Sequence, residues 1–435
     1  MRIKRYMAMA ALALLPALAL EAQKCVNPHF DSHRLDFRDL GYPAATEIPA
    51  DSSPIVALTA HSNGRVYGAT SGKQSYLFSY DPKTNKVYPL GYIPGAKGVH
   101  HSILEGPAGF VFIGGGLNEI ELLTLSREMP HGRRAIEYQL WDDIKAKYEG
   151  YEGGHLYVYD PLEGDDDVYL DGAISKVKDL GVAVKGNSIY SMTINPEGTV
   201  IYGISYPDAV FFSYDIQKGT FSNLGEWMKM KAYPGPERSW RAVPRSLACT
   251  PDGKVWASGD NGLMQCFDPA TGKFLSSSMR VPGEYWETQN YNAFPVVEQL
   301  IPAEDGSIMG SSSDGFIFKA QPSEDALLCF GKPMVERRVR AMTLGKDGRY
   351  YMICGEKDNV CRMFSFRETE GFIDYGVLGV DRSPYYAKIA YQFDSMCTAS
   401  DGTIFIGESD RRAKLFYYIP GGEVFKGVLN PTNPR

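Results

Sequence analysis

Apolar and polar positions alternate along this chain in a sentence that recurs seven times. Its clearest copy runs from Ser395 to Phe405: an apolar strand, a polar turn closed by Asp401-Gly402, and a second apolar strand. The siblings turn at Asn63-Gly64, Ala108-Gly109, Glu197-Gly198, Asp252-Gly253, Asp305-Gly306 and Asp347-Gly348. Glycine supplies the positive φ that closes such a hairpin cheaply. Each copy continues into a third strand such as Tyr76 to Asp81 or Val210 to Asp215, where aromatic and β-branched residues alternate. A turn and a fourth strand follow, as in Val87 to Gly91 and Phe221 to Gly225. Strand-period alternation repeated at about 40–50 residues predicts an all-β, seven-bladed β-propeller with four antiparallel strands per blade.

Two features depart from the repeat. Arg34 to Gly41 reads as a fourth strand with no three strands before it. It is expected to complete the last blade, so that the N-terminal strand closes the ring and removes exposed sheet edges. The second copy is interrupted by an insertion over residues 117–154, with a helix-like stretch from Tyr138 to Tyr148. It leaves between the second and third strands and is expected to wall one side of the face where the innermost strands begin. The inter-blade connections Glu226 to Trp240, Pro282 to Pro295 and Val380 to Tyr391 fall on the same face. They carry Trp227, Trp240, Trp286, Tyr233, Tyr285, Tyr291, Tyr385, Tyr386 and Tyr391. These aromatics read either as sugar-stacking groups or as satellite packing over the propeller.

Composition adds boundaries. Arg2, Lys4 and Arg5 precede an apolar run from Met7 to Leu20, too short to span a membrane as a helix and suited to a signal peptide over residues 1–22. The mature chain, 23–435, is therefore expected to be exported, periplasmic or extracellular, without membrane insertion, and monomeric. A net charge of −7 argues against a nucleic-acid partner. The seven cysteines form no disulfide framework expected of a small secreted domain, although Cys354 and Cys361 could face each other across one hairpin.

Aligning the seven copies on the turn glycine isolates the candidate chemistry. Six residues before it stand Leu58, Ile103, Met192, Leu247, Leu300, Met342 and Met396, all large and apolar. Seven before it stand mostly small residues: Ala57, Ser102, Ser191, Ser246, Gln299, Ala341 and Ser395. Eight before it stand Val56, His101, Tyr190, Arg245, Glu298, Arg340 and Asp394. Strand alternation gives the last row the direction of the apolar row, one step nearer the mouth of the central channel. Two readings fit. One is a structural polar ring with ion pairs Arg245–Glu298 and Arg340–Asp394. The other is a binding or catalytic centre on the axis, extended by His100, Arg241, Arg338 and Tyr206.

Arginine binds a carboxylate as a fork, and neutralising a uronate acidifies its neighbouring C–H. A His or Tyr can then take that proton, and another group can protonate the leaving oxygen. Glu298 and Asp394 could instead be the two carboxylates of a glycoside hydrolase. No cofactor is expected; a divalent cation on His100, His101 and a ring carboxylate is a weaker alternative, because no metal-ligand spacing is present. His61 reads as a solvent-exposed residue of a turn on the opposite face.

The repeat, the export signal and the His/Tyr/Arg ring resemble secreted bacterial carbohydrate-active propellers: ulvan-type polysaccharide lyases and related propeller α-L-rhamnosidases. The resemblance lies in architecture across nearly the whole mature chain and in no single run of residues. It implies catalytic His101 or His100 and Tyr190, and a uronate held by Arg245 or Arg340, with an acidic oligo- or polysaccharide as partner. The rhamnosidases imply a hydrolase, with His61 on the catalytic posterior face, and loss of these residues would leave a non-catalytic glycan- or protein-binding propeller.

Overall fold

A computed structural model describes residues 31–34, 48, 52–84, 86–118, 144, 146–164, 175–228, 243–283, 295–335, 338–356, 359–377, 393–409 and 414–421. Seven four-stranded antiparallel sheets stand in a ring, the all-β seven-bladed propeller that the repeat predicts. In the first six blades the strands follow in chain order from the axis outwards. The seventh comprises Phe393–Thr398, Ile404–Glu408 and Lys414–Tyr418, and its outermost strand is Asp31–Arg34 from the other end of the chain. Closure is thus made by the N-terminal segment, but earlier than expected. Only Arg34 of the Arg34 to Gly41 stretch lies in the strand, and the remainder falls outside the described residues.

Every hairpin glycine in the repeat, from Gly64 to Gly402, takes a positive φ, between 67° and 93°. That backbone is costly for any residue with a Cβ. The large residues six before it are buried or half-buried. The small residues seven before it do more than fit a crowded axis. Ser191 Oγ donates to Pro244 O of the next blade at 3.3 Å, and Ser246 Oγ accepts from Leu300 N at 3.0 Å. Gln299 Nε2 donates to Arg340 O at 3.1 Å, and Ser395 Oγ to Ile55 O at 3.1 Å. These bonds run from blade to blade, and the last one joins blade 7 to blade 1. A row of polar side chains, three of them serines, therefore satisfies backbone groups between neighbouring sheets.

The second strands contain a glycine covered by an aromatic ring of the third strand. Gly68 pairs with Phe78, Gly203 with Phe212 and Gly310 with Phe318. A Cβ on any of the three would collide with that ring. Gly203→Ala is therefore expected to destabilise the fold by about 1–3 kcal/mol through overpacking, read from the midpoint of denaturant unfolding. An unchanged midpoint would show that Phe212 can move aside freely. Among the described residues no helix is long and apolar enough to cross a membrane.

Packing decides two readings that the sequence left open and corrects a third. Cys354 and Cys361 are both buried and are not joined in a disulfide. Cys354 stands opposite Arg362 in the strand register, so the two thiols are not a facing pair. Trp227 follows the packing reading of the loop aromatics: its ring packs on Phe211 at 4.8 Å and its Nε1 donates to Ser258 O at 2.8 Å. His61 is buried rather than exposed. Its Nδ1 accepts from Asn63 N at 3.0 Å, so Nε2 carries the proton and donates to Gly109 O at 2.7 Å, tying blade 1 to blade 2.

Candidate functional site

The seven residues eight before each turn glycine converge at one end of the axis, but not through simple alternation. In five blades the register skips that residue and no other. Ile55 pairs with Thr70 and Ala57 with Ala69, leaving Val56 as an extra residue. The same skip isolates Tyr190, Glu298, Arg340 and Asp394. In blades 2 and 4, His101 and Arg245 precede the regular strands Ile103–Glu105 and Ala248–Cys249. A bulge inserts one unpaired residue, breaks the period of two and re-aims the side chain. The ring is therefore built from repeated strand irregularities, which a strict alternation misses.

Neighbouring ring residues touch. Arg245 Nε donates to the Tyr190 hydroxyl oxygen at 3.2 Å, and Arg245 Nη1 donates to Glu298 Oε2 at 3.0 Å. Arg338 Nη1 approaches Glu298 Oε1 at 3.6 Å. Arg338 holds a left-handed backbone, φ 71°, a conformation that costs a residue with a Cβ roughly 1–3 kcal/mol and is retained where surroundings enforce it. Across blades 6 and 7, Arg340 Nε lies 3.3 Å from Asp394 Oδ1, and Ser409 Oγ donates to Asp394 Oδ2. Both ion pairs expected of a structural polar ring are present. Both are buried, so each stands on partnered charges rather than on solvent. Burial opposes the charge on Arg245, but Glu298, Tyr190 and Asp394 override it and hold the guanidinium ionised.

Arg340 differs from Arg245. Its side chain is 1% exposed, yet none of its three guanidinium nitrogens has a hydrogen-bond acceptor among the described residues. The contact with Asp394 is an ion pair at poor hydrogen-bond geometry. A fully buried fork with unengaged donors is a costly arrangement in a folded protein.

The two histidines are neutral at pH 7. Burial, reinforced by Arg245 and Arg340, pushes His101 from near 6.5 to about 4 against the opposing pull of Asp394 and Glu298. His101 keeps some accessible surface, whereas His100 beside it is buried. Burial and the neighbouring His101 push His100 to about 3, with Lys147 and Arg245 acting in the same sense against a bond to Leu117. His100 Nε2 lies 3.2 Å from Leu117 O, so that nitrogen carries the proton. The sign of the linkage follows. Both folded values lie below the unfolded value, so the unfolded chain takes up protons first as pH falls. Stability should be constant above about pH 7 and fall as pH drops from 6.5 towards 4 and 3, by on the order of 3–5 kcal/mol per histidine. Denaturant unfolding at a series of pH values reads this directly. His100→Asn should flatten the curve in that window, and an unaltered curve would show that His100 titrates normally.

The insertion reaches the site at its two ends. Tyr148 Oη hydrogen-bonds Ser188 Oγ at 2.7 Å, and Leu117 N donates to the same oxygen at 2.8 Å. Tyr206 packs tilted between Tyr148 and Tyr190, with ring centroids 6.1 and 5.1 Å away. His100 stands 5.5 Å from Tyr190. The structure thus brings together His100, His101, Tyr190, Tyr206, Arg245, Glu298, Arg338, Arg340 and Asp394. Arg241 and Tyr391 lie outside the described residues. Residue patterns alone missed Ser409, Ser188 and Tyr148. Ser409 follows Glu408 at the end of a strand, and no one-dimensional signal joins it to Asp394. Among the described residues, no three His, Cys, Asp or Glu side chains cluster as metal ligands.

Fold and mouth define a seven-bladed β-propeller with an ionisable cluster at one end of its axis. No protein-family model and no curated protein matches the chain. Solved structures match its architecture. A streptogramin B lyase aligns with a TM-score of 0.56 at 12% identity, over 89% of this chain and 97% of that one. Virginiamycin B lyase from Staphylococcus aureus aligns at 0.55 and 11% identity, over 90% of this chain and 99% of that one. A catalytically inactive His-to-Ala form of that lyase, solved with quinupristin, aligns at 0.54 and 11% identity, over 90% and 100%. At such identities the likeness concerns the fold. It gives no support for membership of the ulvan-lyase or rhamnosidase families.

Proposed function

We propose that this protein is a lyase that cleaves by β-elimination next to a carboxylate, and that its substrate is a uronate-containing glycan. The observation that carries this reading is the neutral, partly accessible His101 set among guanidinium groups at the axis. Arg340, with Arg245 nearby, neutralises the carboxylate of the substrate and so acidifies the C–H beside it. His101 takes that proton. The electron pair forms the C=C bond and expels the glycosidic oxygen, which Tyr190 protonates. The Arg245 N–H donated into Tyr190 stabilises the negative charge left on the phenolic oxygen. The fold-level neighbours are lyases, and one of them is inactive as a His-to-Ala variant, which supports a His-dependent elimination on this architecture.

The hydrolase alternative has less support. Both ring carboxylates are engaged by arginine, so neither stands free as a proton donor to a glycosidic oxygen. The same pairing favours a second reading, a non-catalytic binding propeller. The expected signal peptide puts the substrate outside the cytoplasm. The test is incubation of purified protein with a panel of acidic glycans. Elimination releases an unsaturated uronate that absorbs in the near ultraviolet. New reducing ends without that absorbance would replace the lyase by a hydrolase, and binding without either product would establish the binding module.

A further inference from the structure

We infer that Asp394 and Ser409 are positioning residues that set the orientation of Arg340, rather than groups that touch the substrate. This rests on the lyase reading for the role of Arg340 and adds to it the device that aims the fork. Asp394 divides its two oxygens. Oδ1 faces Arg340 Nε at 3.3 Å, and Oδ2 accepts the hydrogen bond of Ser409 Oγ. Ser409 is 4% exposed and lies at the end of the second strand of blade 7, while Asp394 is the bulge residue of the innermost strand. The serine thus fixes the carboxylate plane from within its own blade, and the carboxylate meets the guanidinium of the next blade on its Nε side. This leaves Nη1 and Nη2, which are buried and have no hydrogen-bond acceptor among the described residues, as the donors that a ligand with two coplanar oxygens would engage on entering the mouth. The other ring carboxylate cannot take this part, because Glu298 is shared by Arg245 and Arg338.

The test separates orientation of the fork from folding and from catalysis. The probes are D-glucuronate and its neutral methyl ester, which share one sugar, differ in charge and contain no bond to eliminate. Binding is measured by ligand-observed NMR on the full chain, with thermal midpoints as a folding control. The wild type should prefer glucuronate over the ester by at least about tenfold, the scale of one charge-assisted bidentate contact. Arg340→Lys keeps the charge but not the fork and should abolish that preference. Ser409→Ala should reduce it about three- to tenfold with ester binding unchanged, and Ser409→Thr should restore it. The inference is overturned if the wild type shows no preference, if Ser409→Ala retains it in full, or if Ser409→Ala weakens both probes equally. Charge-selective binding by a protein that eliminates nothing from the glycan panel would keep this inference and remove the lyase. Elimination with a Ser409-independent preference would do the reverse.

Discussion

Truncating Glu298 to alanine should destabilise the propeller by about 3–5 kcal/mol, the cost of leaving a buried charge without its partner. Glu298 is 5% exposed at its side chain and serves two cations from two blades, Arg245 at 3.0 Å and Arg338 at 3.6 Å. Without it, Arg245 keeps, among the described residues, the hydrogen bond to the Tyr190 hydroxyl and the pull of Asp394, a carboxylate already engaged by Arg340. Nothing else described at the mouth can reach in, because Asp394 is engaged by Arg340 and Ser409. The double variant Glu298→Leu with Arg245→Met should be far less damaged than the single truncation, because it removes both charges and keeps volume. Urea unfolding of the three variants forms the cycle. A single truncation costing under about 1 kcal/mol, the level of an exposed pair, would show that water reaches the ring.

The second large effect concerns His101. If it is the base, His101→Ala should lower kcat/KM for elimination by roughly 10²–10⁴-fold with the unfolding midpoint little changed. The pH profile supplies an independent check. A histidine held at about 4 stays unprotonated, and so competent as a base, down to mildly acidic pH. The acid limb of kcat/KM should therefore lie near 4, well below the 6.5 of an ordinary histidine. An acid limb at 6.5 would remove His101 from the role, and so would a variant that keeps full activity.

Much of this molecule was legible one residue at a time. A hairpin glycine with positive φ is a local requirement, so the positions of Gly64 to Gly402 announce seven innermost hairpins before any packing is known. Large residues six before the glycine and small ones seven before it follow from an axis where strands crowd. Those two local regularities suffice for the fold class. They also suffice for the level at which the odd residues stand, because a register counted from a turn is a one-dimensional quantity. Arg245–Glu298 and Arg340–Asp394 were readable for the same reason: neighbours in repeat order are neighbours in the ring.

What escaped the sequence involves contacts between segments with no common register. The extra unpaired residue at Val56, Tyr190, Glu298, Arg340 and Asp394 is defined only by the strand opposite. Its effect on side-chain direction follows from pairing rather than from local preference. Ser409 meets Asp394 across a hairpin, Tyr148 meets Ser188 across an insertion, and Trp227 turns inward because Phe211 and Phe274 offer it a face. The same holds for His61, whose turn reads as exposed until the neighbouring blade covers it. Sequence by itself thus determined the propeller, its blade count and the level of the ionisable ring. Tertiary structure alone decided which histidines are held neutral, and that the Arg340 fork meets no hydrogen-bond acceptor among the described residues. Charge state and hydrogen-bond satisfaction depend on burial and on every neighbour at once, and burial exists only when the ring has closed.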